Sequence, residues 1–232
     1  MFTKIGSFLG TLAFVACVAL GVHMNVEANS YKPPPTLASL QASVVKIETL
    51  DSICSGWVLA GSNKVVTAAH CFEDSATNGP IMAMITFNDG ATTVYQVTKM
   101  GDPTTATMDF AELAPAEPLK HTMPVGLPVC KFKPYYGEEI YAMGNPLGAD
   151  RVISFGHVSN PNVQQDKASP EAILNGGMFV DITIFQGSSG GPIIDSSTGC
   201  VMGSVELMIP VHVGEVAIPV GINYASPIPN GL

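Results

Sequence analysis

The stretch FQGSSGGP, residues 185–192, decides both the fold and the chemistry of this chain. Glycines on both sides of a serine permit a sharp turn that projects a hydroxyl while backbone N–H groups converge on one point. An acyl-transfer nucleophile needs this arrangement. We interpret Ser189 as the nucleophile, Ser188 as its spacer, and the N–H groups of Gly187 and Ser189 as an oxyanion hole. A Gly/Ser-rich hairpin turn is the alternative, which the continuation into Gly191-Pro192 and an apolar strand disfavours.

Two other stretches offer partners for a serine nucleophile. VVTAAHC, residues 65–71, is an apolar strand that ends in small residues and a histidine, and TMDFAEL, residues 107–113, holds an acid among apolar residues. A serine hydroxyl is a weak nucleophile until a histidine accepts its proton, and that histidine needs a carboxylate to fix its tautomer. We therefore expect His70 as the base and Asp109 as the orienting acid, with Glu112 pointing elsewhere along a strand.

Composition places the chain among globular all-β proteins. It has 232 residues, of which 47% are hydrophobic and only 12% charged, with 23 glycines and 18 prolines. Such a mixture suits short strands joined by many turns. The formal charge is -9, from 10 basic and 19 acidic residues, and the basic residues form no long run, so we expect no nucleic-acid partner.

Short apolar runs separated by turn signals recur along the chain in two series. They lie at residues 44–47, 56–59, 64–67, 81–85 and 94–97, and then at 139–143, 152–155, 178–181, 192–194, 201–205 and 222–225. No segment has a long helical period and no repeat of 20–50 residues is visible, which disfavours α/β-hydrolase, Rossmann and solenoid folds. Two small antiparallel barrels are predicted, the first at about residues 39–114 and the second at about 135–230.

The N-terminus resembles an export signal. An apolar stretch, residues 5–22, follows Lys4, and small residues at Val26 and Ala28 suit a signal peptidase, so we expect residues 1–28 to be removed. An uncleaved membrane anchor is the alternative, with lipidation at Cys17 ranked last. Residues 29–38 are predicted to form a Pro-rich linker. A secreted or periplasmic, envelope-facing protein is expected, with membrane contact only through an uncleaved N-terminal segment.

Four cysteines remain after that cleavage, namely Cys54, Cys71, Cys130 and Cys200. In an exported chain an even set of cysteines is typical of a disulfide framework, and four cysteines allow three pairings. The Cys-x-x-Cys spacing of zinc sites is absent. No metal site and no cofactor are expected.

Taken together and in this order, residues 67–71, 109–113 and 187–192 resemble the chymotrypsin/trypsin superfamily. Residues 142–148, AMGNPLG, and 154–159, SFGHVS, are similar to HtrA/Deg-like members. The resemblance implies two six-stranded antiparallel Greek-key barrels with the active site in the cleft between them. It also implies a serine endopeptidase whose substrates are proteins or peptides. Because the chain ends at Leu232, soon after the last predicted strand, we expect no PDZ domain.

The resemblance further implies a pairing of cysteines. Cys54 and Cys71 match the bridge that braces the catalytic histidine in chymotrypsin-like enzymes, which leaves Cys130 and Cys200 for each other. Two free thiols are the alternative for the second pair.

Substrate preference is also inferred from the resemblance. Thr183, six residues before the nucleophile, stands where the base of the primary pocket lies, so a preference for Arg or Lys is disfavoured. Leu207 and Met208 on the opposite wall favour a small or medium apolar residue before the scissile bond, although Glu206 complicates this wall. His157 is interpreted as a structural histidine, with an influence on an acidic preference as the alternative. A catalytically inactive, protease-like binding protein of the envelope is the rival function.

Overall fold

The computed structural model describes residues 35–75, 79–102, 109–164, 176–213 and 216–229. Its strands form two closed six-stranded antiparallel barrels, which confirms the predicted fold class. The expected export segment at residues 1–28 lies outside the described residues, and so does most of the expected linker.

The first barrel has the strand order β1-β2-β3-β6-β5-β4 and closes by pairing of β1 with β4. Its strands are β1 Val44–Glu48, β2 Ile53–Val58, β3 Val65–Thr67, β4 Met82–Thr86, β5 Thr92–Met100 and β6 Ala111–Pro115. The core of this barrel contains fully buried Ile47, Ile85, Tyr95 and Leu113. Along β4, buried Ala83 and Ile85 alternate with exposed Met82 and Met84, as expected for a barrel whose outer face meets solvent.

The second barrel has the order β10-β11-β12-β9-β8-β7 and closes through β10 and β7. Its strands are β7 Glu139–Gly144, β8 Val152–Asn160, β9 Met178–Val180, β10 Pro192–Asp195, β11 Val201–Val213 and β12 Val216–Pro227. A third group of buried side chains, including Val44 and Trp57 of the first barrel and Met143 and Ile194 of the second, packs where the two barrels meet. The contact between the two barrels is therefore apolar.

The structure departs from the sequence interpretation in three places. A short helix α1, Leu37–Gln41, begins inside the predicted linker 29–38, because the Thr36 side chain accepts a hydrogen bond from the Ser39 N–H and caps it. Strand β6 begins two residues after Asp109, although no run was assigned there. Strands β11 and β12 extend well beyond the short runs at 201–205 and 222–225.

Among the described residues, no helix is long and apolar enough to span a membrane.

Candidate active site

The loop that carries Ser189 depends on glycine at two positions. Gly187 has φ +95°, and a Cβ there would lie 2.7 Å from the carbonyl oxygen of Asn145. Gly190 has φ +79°, and a Cβ would lie 2.5 Å from the carbonyl oxygen of Ser55. Both residues adopt the left-handed region that favours glycine, and both touch other backbone. The repeated glycines of residues 185–192 therefore serve a tight turn packed against its surroundings.

Ser55 of β2 fastens this loop to the first barrel, a role that the sequence analysis missed. Its N–H donates to the carbonyl of Ser189 at 2.8 Å, and its hydroxyl donates to the carbonyl of Gly187 at 2.7 Å. The same hydroxyl accepts the N–H of Asn145 at 2.7 Å. Ser55 is fully buried, so these bonds form away from water. A serine beside Cys54 gave no signal in the sequence, because the role arises from contacts across the two barrels.

The strand pairing of the first barrel brings His70 and Asp109 together. Thr67 at the end of β3 lies opposite Ala111 at the start of β6, so the residues just after β3 meet those just before β6. One oxygen of Asp109 accepts the backbone N–H of His70 at 2.8 Å, and the other lies 2.6 Å from His70 Nδ1. The Asp109 side chain is 1% exposed and the His70 side chain 29% exposed. The carboxylate thus fixes both the backbone and the ring of the histidine.

Electrostatics make His70 a stronger base than a free imidazole. Burial opposes its protonation, but the hydrogen bond and charge of Asp109, with smaller effects of Glu206 and Glu73, outweigh burial and raise the pKa of His70 above 6.5. A general base near neutral pH needs such a value.

His70 and Ser189 line one cleft of about 770 Å³. Residues of both barrels form its walls, including Cys54 and Cys71 from the first and Gln186 from the second. Ser189 is half-buried and lines the same cleft as His70. The structure therefore gathers the three predicted catalytic residues at one place, with Asp109 behind the histidine.

The peptide that joins Gln186 to Gly187 is held in one orientation by a hydrogen bond to its carbonyl oxygen. The Leu147 N–H donates to the carbonyl of Gln186 at 2.7 Å. Because a trans peptide points its N–H away from its C=O, the Gly187 N–H faces the opposite direction. Within the described part of the chain, neither Gly187 nor Ser189 donates its N–H to a protein acceptor, whereas Ser188 and Gly190 do. The two predicted donors are therefore the ones left available for a substrate oxygen.

Comparison with protein families agrees with this geometry. Residues 54–203 match the model of the trypsin-like peptidase domain, a range that contains His70, Asp109 and Ser189. The chain belongs to that family. It is a serine-type endopeptidase, and its substrates are proteins or peptides.

Solved structures share the fold of this trypsin-like peptidase. They include the inactive form of a serine-to-alanine mutant of Rv3671c from M. tuberculosis H37Rv, with TM-score 0.60 and 22% identity over 83% of this chain and 84% of the other. A serine endoprotease from Yersinia pestis has TM-score 0.60 and 21% identity over 84% and 63%. The HtrA-type protease AlgW, solved with a tripeptide, has TM-score 0.61 and 22% identity over 83% and 60%. No curated protein sequence matches the chain.

Two disulfides brace the trypsin-like peptidase. Cys54 is bonded to Cys71, which joins β2 to the residue after His70, and Cys130 is bonded to Cys200. These are the pairs that the family resemblance implies. The first bond ties the turn that carries the histidine to the strand that carries Ser55.

The structure places Thr183 in a cavity of the trypsin-like peptidase and Leu207 and Met208 on an exposed part of β11. Thr183 lines a cavity of about 350 Å³ together with apolar residues such as Ile184, Phe185 and Val205. Leu207 and Met208 are absent from that lining and are 42% and 36% exposed on β11. His157 is exposed and pairs with Asp181 at 3.3 Å, on the barrel surface.

Proposed function

We propose that the chain cleaves peptide bonds through an acyl-enzyme on Ser189. The Ser189 hydroxyl attacks the substrate carbonyl while His70 Nε2 accepts its proton, and the carbonyl oxygen gains negative charge opposite the N–H groups of Gly187 and Ser189. Protonated His70 then gives its proton to the leaving amine, and the C–N bond breaks. Water, deprotonated by His70, repeats the sequence on the ester and releases the acid and free Ser189.

The double contact between Asp109 and His70 carries this proposal. Both carboxylate oxygens are used, at 2.8 and 2.6 Å, and the acid is almost wholly buried. This contact holds the proton on Nδ1 and so leaves Nε2 free to act as a base towards Ser189. Burial of an acid costs free energy unless it is compensated, and here the two contacts with His70 compensate it.

A fluorophosphonate probe distinguishes the enzyme from a catalytically inactive binding protein. We expect the wild type to form one covalent adduct, mapped by peptide mass spectrometry to Ser189 and not to the neighbouring Ser188. Ser189→Ala should abolish it. An unlabelled wild type, or equal labelling of the variant, would establish the inactive protein instead.

We also propose a preference for a small or medium apolar residue before the scissile bond. Support comes from Thr183, which carries no charge. The cavity lined by Thr183 is itself mainly apolar. A peptide library should be cut mainly after Val, Ala, Leu or Met. Predominant cutting after Arg or Lys would overturn the preference.

The chain is further proposed to act outside the cytosol. The apolar segment at residues 5–22 supports export, and two disulfides suit an oxidising compartment. N-terminal sequencing of the exported protein should begin at Asn29. A chain that begins at Met1 and fractionates with membranes would instead support an uncleaved anchor, and a cytosolic chain with free thiols would contradict export.

A further inference from the structure

Glu206 lies at an irregularity of the second barrel beside the nucleophile loop. In the pairing of β11 with β12, Val205 faces Ala225 and Leu207 faces Tyr224, so Glu206 between them occupies a β-bulge. A bulge redirects the side chain that it carries, and bulges are frequent next to active sites. Here the bulge directs a carboxyl group into a half-buried position instead of leaving it on the barrel surface.

Backbone hydrogen bonds hold this bulge close to Ser189. The Gly190 N–H donates to the carbonyl of Val205 at 2.8 Å, and the Val205 N–H donates to the carbonyl of Gly191 at 2.8 Å. The residue after the nucleophile and the residue before Glu206 are therefore joined directly. The backbone of the bulge cannot move away from the nucleophile loop without breaking this pair of bonds.

Four other groups set the electrostatic environment of Glu206. The Ser226 hydroxyl donates to Glu206 Oε2. The charges of Asp109 and His70 act on Glu206 from the first barrel. Glu206 in turn acts on His70 and on the hydroxyl of Tyr224 in β12. The charge of the exposed Glu73 also raises the pKa of His70. Two carboxyl groups, Asp109 and Glu206, thus act on one imidazole from different barrels.

Glu206 titrates well above the range of an ordinary glutamate. Burial raises its pKa to about 8, against the hydrogen bond from Ser226, and the charge of Asp109 raises the pKa further while that of His70 lowers it. Glu206 therefore changes from neutral to charged over the same pH range in which His70 must act as a base.

We propose that Glu206 is a positioning residue that strengthens His70 as a base when its carboxyl group is ionised. Negative charge on Glu206 stabilises the imidazolium that forms as Ser189 gives up its proton, whereas neutral Glu206 leaves that task to Asp109 alone. The proposal rests on the proposed role of His70 as the general base. It predicts two ionisations in the activity profile, because the pair titrates in coupled steps.

The pH dependence of kcat/KM in wild type and Glu206→Gln tests this. The wild type should gain activity in two steps, the first from His70 and the second near the ionisation of Glu206. Glu206→Gln, which cannot ionise, should keep a single step and lose roughly three- to tenfold of the activity above pH 9. Glu73→Gln is the matched control, since its exposed carboxylate is screened by water, and should keep both steps. Identical profiles for wild type and Glu206→Gln would overturn the proposal.

NMR titration separates this proposal from the proposed catalysis. In Ser189→Ala protein, the His70 ring should titrate at lower pH when Glu206→Gln is added, whether or not any substrate is cleaved. Unchanged titration of His70 would overturn the coupling even in an active enzyme, and a changed titration in a chain that reacts with no probe would refute only the catalytic role. Without any substitution at Glu206, ¹³C-labelled carboxyl groups should include one glutamate that titrates far above the others. A complete set of ordinary glutamate titrations would also overturn the proposal.

Discussion

Asp109 contacts His70 twice, through the backbone N–H at 2.8 Å and through Nδ1 at 2.6 Å. One carboxylate therefore places the histidine and selects its tautomer at once. The contact depends on pairing of β3 with β6, since these strands end and begin beside the two residues. The position of the histidine is thus linked to the β3–β6 pairing of the first barrel.

Asp109→Asn should lower kcat by about ten-thousand-fold at neutral pH with little change in fold, because an amide imposes the wrong tautomer on His70. Hydrolysis of a chromogenic peptide ester, compared with thermal unfolding, measures both. Asp181→Asn is the control, since its pair with His157 is about half exposed on both sides, and should change kcat by less than about threefold. A loss for Asp109→Asn no larger than that of the control would contradict the assignment.

Gly187→Ala should reduce kcat by about a hundredfold, because the added Cβ meets the carbonyl of Asn145 at 2.7 Å and displaces the oxyanion-hole N–H. Gly61→Ala is matched to it. Gly61 also has positive φ, at +72°, but has open space around its Cβ position. Both variants carry about 1 kcal/mol of backbone strain, and only the first should lose activity in a burst-phase assay. Equal kcat values for the two variants would mean that Gly187 does not form the hole.

Local apolar patterns and short motifs in the sequence predicted several strands and the residues of the candidate site. The runs at 44–47 and 139–143 became strands β1 and β7. The motifs at residues 67–71 and 187–192 supply His70, Cys71, Gly187 and Ser189 to the lining of the cleft. The structural roles of Ser55 and Glu206 could not be predicted in this way. Ser55 acts through bonds to residues 90 and 132 positions away, and Glu206 acts through a bulge in strand register. Neither role produces a periodic pattern in the sequence.

The same limit of local sequence patterns applies to strand β6 and to the residues expected to form the specificity pocket. Ala111–Pro115 is too short and too mixed to read as a strand, and pairing with β3 and β5 provides its stability. Thr183, Leu207 and Met208 were placed by position relative to Ser189, whereas cavity shape depends on how β11 bends at its bulges.

Removal of each disulfide in turn should affect the stability and the activity of the protein to different degrees. On the chain-entropy model, the Cys54–Cys71 bond, with a separation of 17 residues, contributes about 3 kcal/mol, and the Cys130–Cys200 bond, with 70, contributes about 4 kcal/mol. Cys130→Ser/Cys200→Ser should therefore lower the free energy of unfolding more. Cys54→Ser/Cys71→Ser should lower kcat more, because only that bond adjoins His70. Urea unfolding and peptide hydrolysis measure the two effects, and an activity loss confined to the Cys130–Cys200 variant would contradict this division.

The stability of the protein should fall as pH rises from about 4.5 to 8. The pKa of Glu206 is raised by burial to about 8 in the folded chain from 4.5, so over that range the folded state keeps a proton that the unfolded chain releases. His70, whose pKa is also raised, acts in the same direction above pH 6.5. Glu206→Gln should remove most of the decline and make the protein more stable at pH 8 by about 2 kcal/mol, less than the full shift because the side chain keeps some contact with water. Urea unfolding at pH 5, 6.5 and 8 measures this. A wild-type stability that stays level or rises across these values, or an equally steep decline in Glu206→Gln, would show that Glu206 ionises freely in the folded state.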